Sequence, residues 1–283
     1  MIWKEQNWMK FNSNIKNELS ISIKNHYPII GTVSFFNPYI LLYSKTELSN
    51  KRLNNKYQIC RILACKEIIS KSCKIRKGWI QVSNKKGKSF LTKKLIFVKE
   101  IPLIPFKHIF LLKNNKDNNR LNFNSYTLNN NLYSYDNPAF VELYSTYITS
   151  NLVENNYSPH FTKFYGNFSS IYSTFTYTED TESICNIPNG IFPKNTKIIN
   201  ITEDLSDVKV KKCPVLSIIT EVSGIPLIQE LTDNIYYIKK IKSYFFQVLT
   251  ALSVVQSKFQ LIHNDLHTNN ILCSKTNIKY VFY

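Results

Sequence analysis

Glycine is scarce, at six in 283 residues, which excludes collagen-like and glycine-rich linker classes. Cysteine occurs six times, at positions 60, 65, 73, 185, 213 and 273. No C-x-x-C pair is among them, so nothing points to a zinc ribbon or a thioredoxin-like site. No run of 18 apolar residues exists, and the sequence predicts no spanning helix. Lys4, Glu5 and Lys10 interrupt the first ten residues, unlike a secretory leader. Together these absences predict a reduced, intracellular setting. Acidic residues are few: 19 Asp+Glu stand against 36 Lys+Arg, for a net charge of +17. Such a balance suits a polyanion, whether nucleic acid, nucleotide phosphates or an acidic membrane surface. The lysines are scattered rather than blocked, however, and with abundant Asn, Ile and Tyr they also fit an AT-rich coding genome. Hydrophobic residues make up 43%, enough for a real core.

Periodicity gives the outline. Pro28 to Tyr43 is apolar and strand-like, and Lys56 to Ser72 shows roughly helical spacing. Gly78–Val82 and Leu95–Ile101 predict a hairpin about a turn at Asn84–Lys88. The second strand's apolar density predicts burial on both faces. Residues 113–137 are Asn-rich and read as an insertion. Asp136-Asn137-Pro138 opens a helix running to about Glu154, with Pro138 suited to its first turn. Its stripe is Phe140, Leu143, Tyr144, Tyr147, Ile148 and Leu152. Strands are predicted over Phe161–Gly166, Phe168–Thr178 and Val215–Thr220. A short helix follows Pro226, and a long amphipathic one covers Tyr236–Phe259. The order of elements predicts an α+β fold, with a β-rich small lobe leading into the start of a helical one.

The most specific stretch comes next: His263-Asn264-Asp265-Leu266-His267-Thr268-Asn269-Asn270-Ile271-Leu272. His263, Asp265, Leu266 and Asn270 stand at the offsets of the kinase catalytic loop, H-R-D-L-x-x-x-N. Phosphoryl transfer is mostly positioning and charge neutralisation. One carboxylate must meet the incoming hydroxyl, a part for Asp265. One amide oxygen must reach a magnesium ion beside the phosphates, a part for Asn270. Asn264 replaces the arginine of many protein kinases, which removes a basic pocket for a loop phosphate. His267 stands where protein kinases usually have lysine, and its charge would depend on pH.

The chain resembles the serine/threonine protein kinases of giant nucleocytoplasmic DNA viruses, within the protein-kinase-like superfamily. The catalytic-loop run carries the resemblance. Phe97–Ile101, Ser158–Phe161 and Phe164–Gly166 extend it over about residues 90–283. The resemblance implies a bilobal fold with an αC-type helix, ATP and Mg²⁺ as cofactors, and a protein substrate. It makes Asp265, His263 and His267 the catalytic-loop residues and Asn270 the metal ligand. Lys99 would hold the α- and β-phosphates, with Lys93 and Lys94 as rivals. Glu142 would pair with it, Glu154 being the alternative. Thr220, Glu221, Val222 and Ser223 would form the adenine-binding hinge, Thr220 at the gatekeeper position. The implied layout is an extension over 1–75, an N-lobe over 76–222 and the start of a C-lobe over 223–283. The implied location is the host cytoplasm or the virion.

Two departures qualify the resemblance. No G-x-G-x-x-G precedes Lys99; only Gly78 and Gly87 are near. The residues also stop at Tyr283, before any Asp-Phe-Gly, which reads as truncation after the catalytic loop and leaves activity in doubt. Alternatives therefore stay open: a small-molecule phosphotransferase of the aminoglycoside or choline type, which His267 fits equally, and a pseudokinase scaffold or basic nucleic-acid binder. A chain ending there leaves the long helix's apolar stripe uncovered, so the isolated polypeptide should aggregate. A soluble monomer with a cooperative thermal melt would contradict that expectation.

Overall fold

The computed structural model describes residues 25, 27, 29–32, 56–83, 88–104, 137–185, 196–233 and 237–277. Residues 84–87 of the expected turn at Asn84–Lys88, nearly all of the Asn-rich stretch and most of 1–55 lie outside the described residues. Two compact units emerge. One comprises Met1–Tyr144 with Tyr165–Ile219, the other Ser145–Phe164 with Thr220–Tyr283.

The first unit is built on a seven-stranded sheet. Its strands are β1 (Ile29–Thr32), β2 (Tyr57–Ile68), β3 (Cys73–Ser83), β4 (Ser89–Pro102), β5 (Phe164–Asp180), β6 (Thr196–Ile201) and β7 (Leu205–Glu221). They lie in the order β1-β5-β7-β4-β3-β2, with β6 pairing β7 off that path. The pairings β1–β5, β2–β3, β3–β4 and β6–β7 are all antiparallel. With few helices beside it, this sheet is compatible with the α+β class.

The hairpin β3–β4 runs in unbroken register from Cys73 opposite Lys99 to Ser83 opposite Ser89. Alternation sorts its faces. Ile96, Val98 and Glu100 are buried, whereas Leu95 is exposed and Phe97 and Lys99 are half-buried. The strand thus buries one face, not the two its apolar density predicts. Gly78 gives Ile96 room here: a Cβ would lie 2.8 Å from Ile96 Cδ1, and that side chain would have to shift.

Residues 57–68 form a strand, not the helix their spacing predicts. Register shifts fall between Ile59 and Arg61, Ile62 and Cys65, and Cys65 and Glu67. Each irregularity slips the side-chain alternation by one residue. Ile59 and Ile62 are therefore both buried although three positions apart, which imitates a helical period. The sheet also takes in residues that the sequence assigns to an extension ending at 75. β5 is likewise one strand rather than two, and it starts at Phe164 rather than Phe161. Gly166 lets it pass close to Ile59: its φ is 148°, and a Cβ there would meet Ile59 Cγ2 at 2.7 Å. The polar stretch 179–212 supplies α2 (Thr181–Cys185), β6 and the start of β7.

Helix α1 (Pro138–Glu154) begins as its sequence requires. Asn137 is the cap: its Oδ1 accepts from the Ala139 N–H at 3.0 Å, and its Nδ2 donates to the Leu103 carbonyl at 2.9 Å. Such a side chain satisfies an otherwise orphaned donor, a contribution of about 1 kcal/mol. Past the helix's other end, Asn156 adopts φ 60°, and the Tyr157 N–H returns to the Leu152 carbonyl at 2.8 Å. A left-handed residue of this kind stops a helix.

The second unit holds α3 (Leu227–Asp233), α4 (Tyr237–Phe259) and a small ladder of β8 (Ile225–Pro226) with β9 (Leu272–Cys273). Ala251 and Val255 of α4 are buried, while Phe245, Phe246 and Leu249 are exposed. Gln260, at φ 53°, ends the helix and turns the chain into the His263–Asn270 loop. The Lys258 ammonium sits 4.7 Å from the centre of the Tyr157 ring, tying this end to the segment after α1. Among the described residues no helix is long and apolar enough to cross a membrane.

Ile96 is fully buried between neighbouring strands and Leu91 is exposed on the same strand. Ile96→Ala should therefore cost about 2–5 kcal/mol, and Leu91→Ala under about 0.5 kcal/mol. Urea unfolding of the two variants checks this; equal losses would contradict the assigned faces of β4.

Candidate functional site

In the first unit, Lys99 projects from β4 on the face opposite the buried Val98 and Glu100. Its Nζ lies 2.5 Å from Glu142 Oε1, on the second turn of α1. Both side chains are more than a third exposed, so water screens the pair and it contributes about 0–1 kcal/mol. Its significance is geometric: a carboxylate holds an ammonium at a fixed place. Lys93 and Lys94 stand opposite Trp79 and Gly78, further back along the strand. Glu154 accepts a bond from Ser150 Oγ at 3.4 Å.

The register that sets Cys73 opposite Lys99 also brings the β2–β3 turn there. Ile69 and Ser70 N–H groups both donate to the Cys73 carbonyl at 3.0 Å, and the Glu100 N–H donates to the Ser72 carbonyl at 2.7 Å. Ser70 Oγ and Ser72 Oγ are 3.4 Å apart. Lys71 forms an ion pair with Asp207 of β7, whose carboxylate also accepts from Thr178 Oγ1 at 3.2 Å. This turn, Ile69-Ser70-Lys71-Ser72, contains no glycine. The turn is hidden in the sequence because the stretch before it imitates a helix. Its signal was a short Ser-Lys-Ser run between two apolar segments.

In the second unit, the loop after α4 is closed on itself. Asn270 Nδ2 donates to Asp265 Oδ2 at 2.9 Å and to the Asp265 carbonyl at 2.8 Å. Two histidine rings act as local acceptors: His263 Nδ1 takes the Asp265 N–H, and His267 Nδ1 takes the Asn269 N–H, each at 3.3 Å. The Asn270 N–H donates to the His267 carbonyl at 2.9 Å. His267 Nε2 comes within 3.7 Å of Asp265 Oδ1. The structure thus brings His263, Asp265, His267 and Asn270 into one bend. Asp265 is 83% exposed in its side chain, so its carboxylate is open to an incoming group.

The same geometry tests the bend as a cation site. The Asn270 amide turns its nitrogen to Asp265, which leaves Oδ1 as its acceptor atom. Asp265 and Asn270 then offer hard oxygens five residues apart. Magnesium takes one or two such protein oxygens and completes its shell with phosphate oxygens and water. The Asn270 amide oxygen fits that partial role. Among the described residues no group of three His, Cys, Asp or Glu side chains could hold a metal unaided.

Thr220 to Ser223 leave the end of β7. Thr220 is buried, and its Oγ1 donates to the Glu221 carbonyl at 3.1 Å. The Glu221 carboxylate accepts from both the Lys163 N–H, at 3.0 Å, and Lys163 Nζ, at 2.9 Å. The Glu221 N–H donates to the Lys163 carbonyl at 2.9 Å. Val222 and Ser223 are half-buried. Beyond them the Gly224 N–H donates to Ser274 Oγ at 2.8 Å, and a Cβ on Gly224 would overlap the Cys273 carbonyl oxygen at 1.6 Å. This close approach lets β8 pair β9, so the segment after β7 is clipped to the strand that follows the His263–Asn270 bend.

Comparisons with known proteins find partial similarity to two proteins named as kinases. The chain is 28% identical over 155 residues to a protein of Acanthamoeba polyphaga mimivirus named as a serine/threonine-protein kinase; the match takes in 52% of this chain and 31% of that protein. It is 38% identical over 50 residues to a Dictyostelium discoideum protein with the same designation, across 17% of this chain and 4% of the other. The chain thus spans less than a third of either relative. No family model matches it. A kinase-like relationship is what these similarities support.

Asn270→Ala removes both amide bonds that close the bend. Backbone amides from 265 to 270 should then exchange with deuterium at least about tenfold faster, while the global unfolding free energy changes by under about 1 kcal/mol. Unchanged exchange would show that the bend does not depend on Asn270.

Proposed function

We propose that this chain binds ATP with Mg²⁺ and belongs to a serine/threonine protein kinase. In this reading the sheet and the start of α1 are the β-rich lobe of a protein-kinase-like bilobal fold. Residues from 223 onward begin the helical lobe. The observation that carries the proposal is the closed bend in which Asn270 brackets an exposed Asp265 carboxylate. Such a bend serves a transfer reaction better than it serves stability, since an exposed carboxylate fixed by a single amide adds little to the fold.

Each residue has a part in the proposed reaction. Lys99, held by Glu142, binds the α- and β-phosphates. The turn Ser70-Lys71-Ser72 lies beside Lys99 and offers serine hydroxyls where kinases use a glycine-rich backbone. Thr220 to Ser223 receive the adenine. Asp265 accepts the proton of a serine or threonine hydroxyl as its oxygen forms a bond to the γ-phosphorus. The bond from that phosphorus to the β,γ-bridging oxygen breaks, and ADP leaves. Through its amide oxygen, Asn270 would hold a magnesium ion, whose charge would offset that of the phosphates. His263 accepts the Asp265 N–H and so orients the residue that takes the proton.

His267 supports a second reading. Its Nε2 lies 3.7 Å from Asp265, where a small-molecule phosphotransferase of the aminoglycoside or choline type could also use an imidazole. A substrate panel separates the two, with label transfer to casein or histone on one side and to small alcohols on the other.

ATP with Mg²⁺ should raise the melting temperature of the chain, equivalent to about 2.7 kcal/mol at a hundredfold excess over Kd. Lys99→Ala should abolish the shift. Asp265→Asn should retain it and lower phosphoryl transfer by about 10²–10⁴-fold, the usual contribution of a general base. No shift with the unsubstituted chain, in the presence of Mg²⁺, would refute an ATP site.

A further inference from the structure

Lys99 is followed by a second charge, Glu100, on the opposite face of β4. Glu100 is 1% exposed. A carboxylate so deep in the protein persists only when charge and hydrogen bonds satisfy it. Here each oxygen has its own partner. Lys74 Nζ donates to Oε2 at 2.5 Å, and Tyr172 OH donates to Oε1 at 3.2 Å. The Tyr172 hydroxyl also lies 3.4 Å from Ser217 Oγ. Burial, and then the Glu100 charge, push the Tyr172 phenol far above its ordinary pKa, so it stays a donor.

These four residues sit on β3, β4, β5 and β7, which are consecutive in the sheet. The Glu100 N–H adds a bond to the Ser72 carbonyl at 2.7 Å. Side chains alternate along a strand, so holding residue 100 inward sets the direction of residue 99. By contrast, the Lys99–Glu142 pair is half-exposed and weak, and it cannot set the rotation of the strand that carries it.

We infer that the buried Lys74–Glu100–Tyr172 network is what aims Lys99 at Glu142, with Glu100 a positioning residue for the phosphate-binding lysine. The functional meaning of that aim rests on the ATP-site reading; the positioning itself does not. Lys99 is held by a framework on the far side of the sheet, away from any phosphate it binds.

The test reads Lys99 directly, with no nucleotide present. The full chain is acetylated with trace acetic anhydride, and modification of Lys99 relative to Lys93 and Lys94 is measured by peptide mass spectrometry. Glu142→Gln removes the partner and should raise the Lys99 ratio about threefold, the factor expected for a weak ion pair. Glu100→Gln and Tyr172→Phe should raise it towards the same level while Glu142 is intact. Should Glu100→Gln fail to fold, Tyr172→Phe, which removes one oxygen and keeps the ring, carries the test. A purely structural network would lower the melting temperature and leave the ratio unchanged, which overturns the inference. An unchanged ratio in Glu142→Gln overturns it too. Absence of ATP binding by the unsubstituted chain would sink the kinase reading and leave the acetylation result standing.

Discussion

The register that places Cys73 opposite Lys99 is the constraint on which the first unit's chemistry depends. It sets the glycine-free β2–β3 turn beside Lys99. It turns Lys99 towards Glu142, and it drives Glu100 into the sheet, where Lys74 and Tyr172 meet it. A slip of one residue would exchange the faces. Glu100 would then leave its buried partners and Lys99 would enter the core. The two sides of the strand enforce one another, because the buried carboxylate tolerates only the register that supplies both a cation and a donor.

The second unit solves its problem more locally. Its bend is held by one amide that reaches back five residues, by two imidazole acceptors and by a ladder of two residue pairs. Gly224 makes the ladder accessible by omitting a side chain where the Cys273 carbonyl passes. None of these contacts buries much surface. The bend therefore keeps its shape through geometry while leaving the Asp265 carboxylate in water.

Local structure is legible in the sequence. The H-N-D-L-H-T-N-N run has its spacing written in the chain, and the bend follows from it. Asn137 and Pro138 announce the start of α1, and Tyr236–Phe259 has a period that only a helix satisfies. Structure that depends on neighbours is not legible in this way. Residues 57–68 resemble a helix because strand irregularities displace their alternation, and an irregularity is visible only against its partner strand. Gly166 reads as a gap between two strands, yet it is the point where one strand passes Ile59. The pair Lys99 and Glu100 shows two adjacent charges, and nothing local states which faces inward.

What the sequence determined by itself was the chemistry on offer: a carboxylate and an amide at kinase-like spacing, a lysine on a strand, and a capped helix carrying Glu142. Such features depend on offsets within a few residues, and local backbone geometry enforces them. What only the tertiary structure decided was placement: Glu142 beside Lys99, the Ser70–Ser72 turn at the same strand end, and Glu100 within a network drawn from four strands. Those placements join residues tens of positions apart, and it is the pairing and burial of whole strands that brings them together.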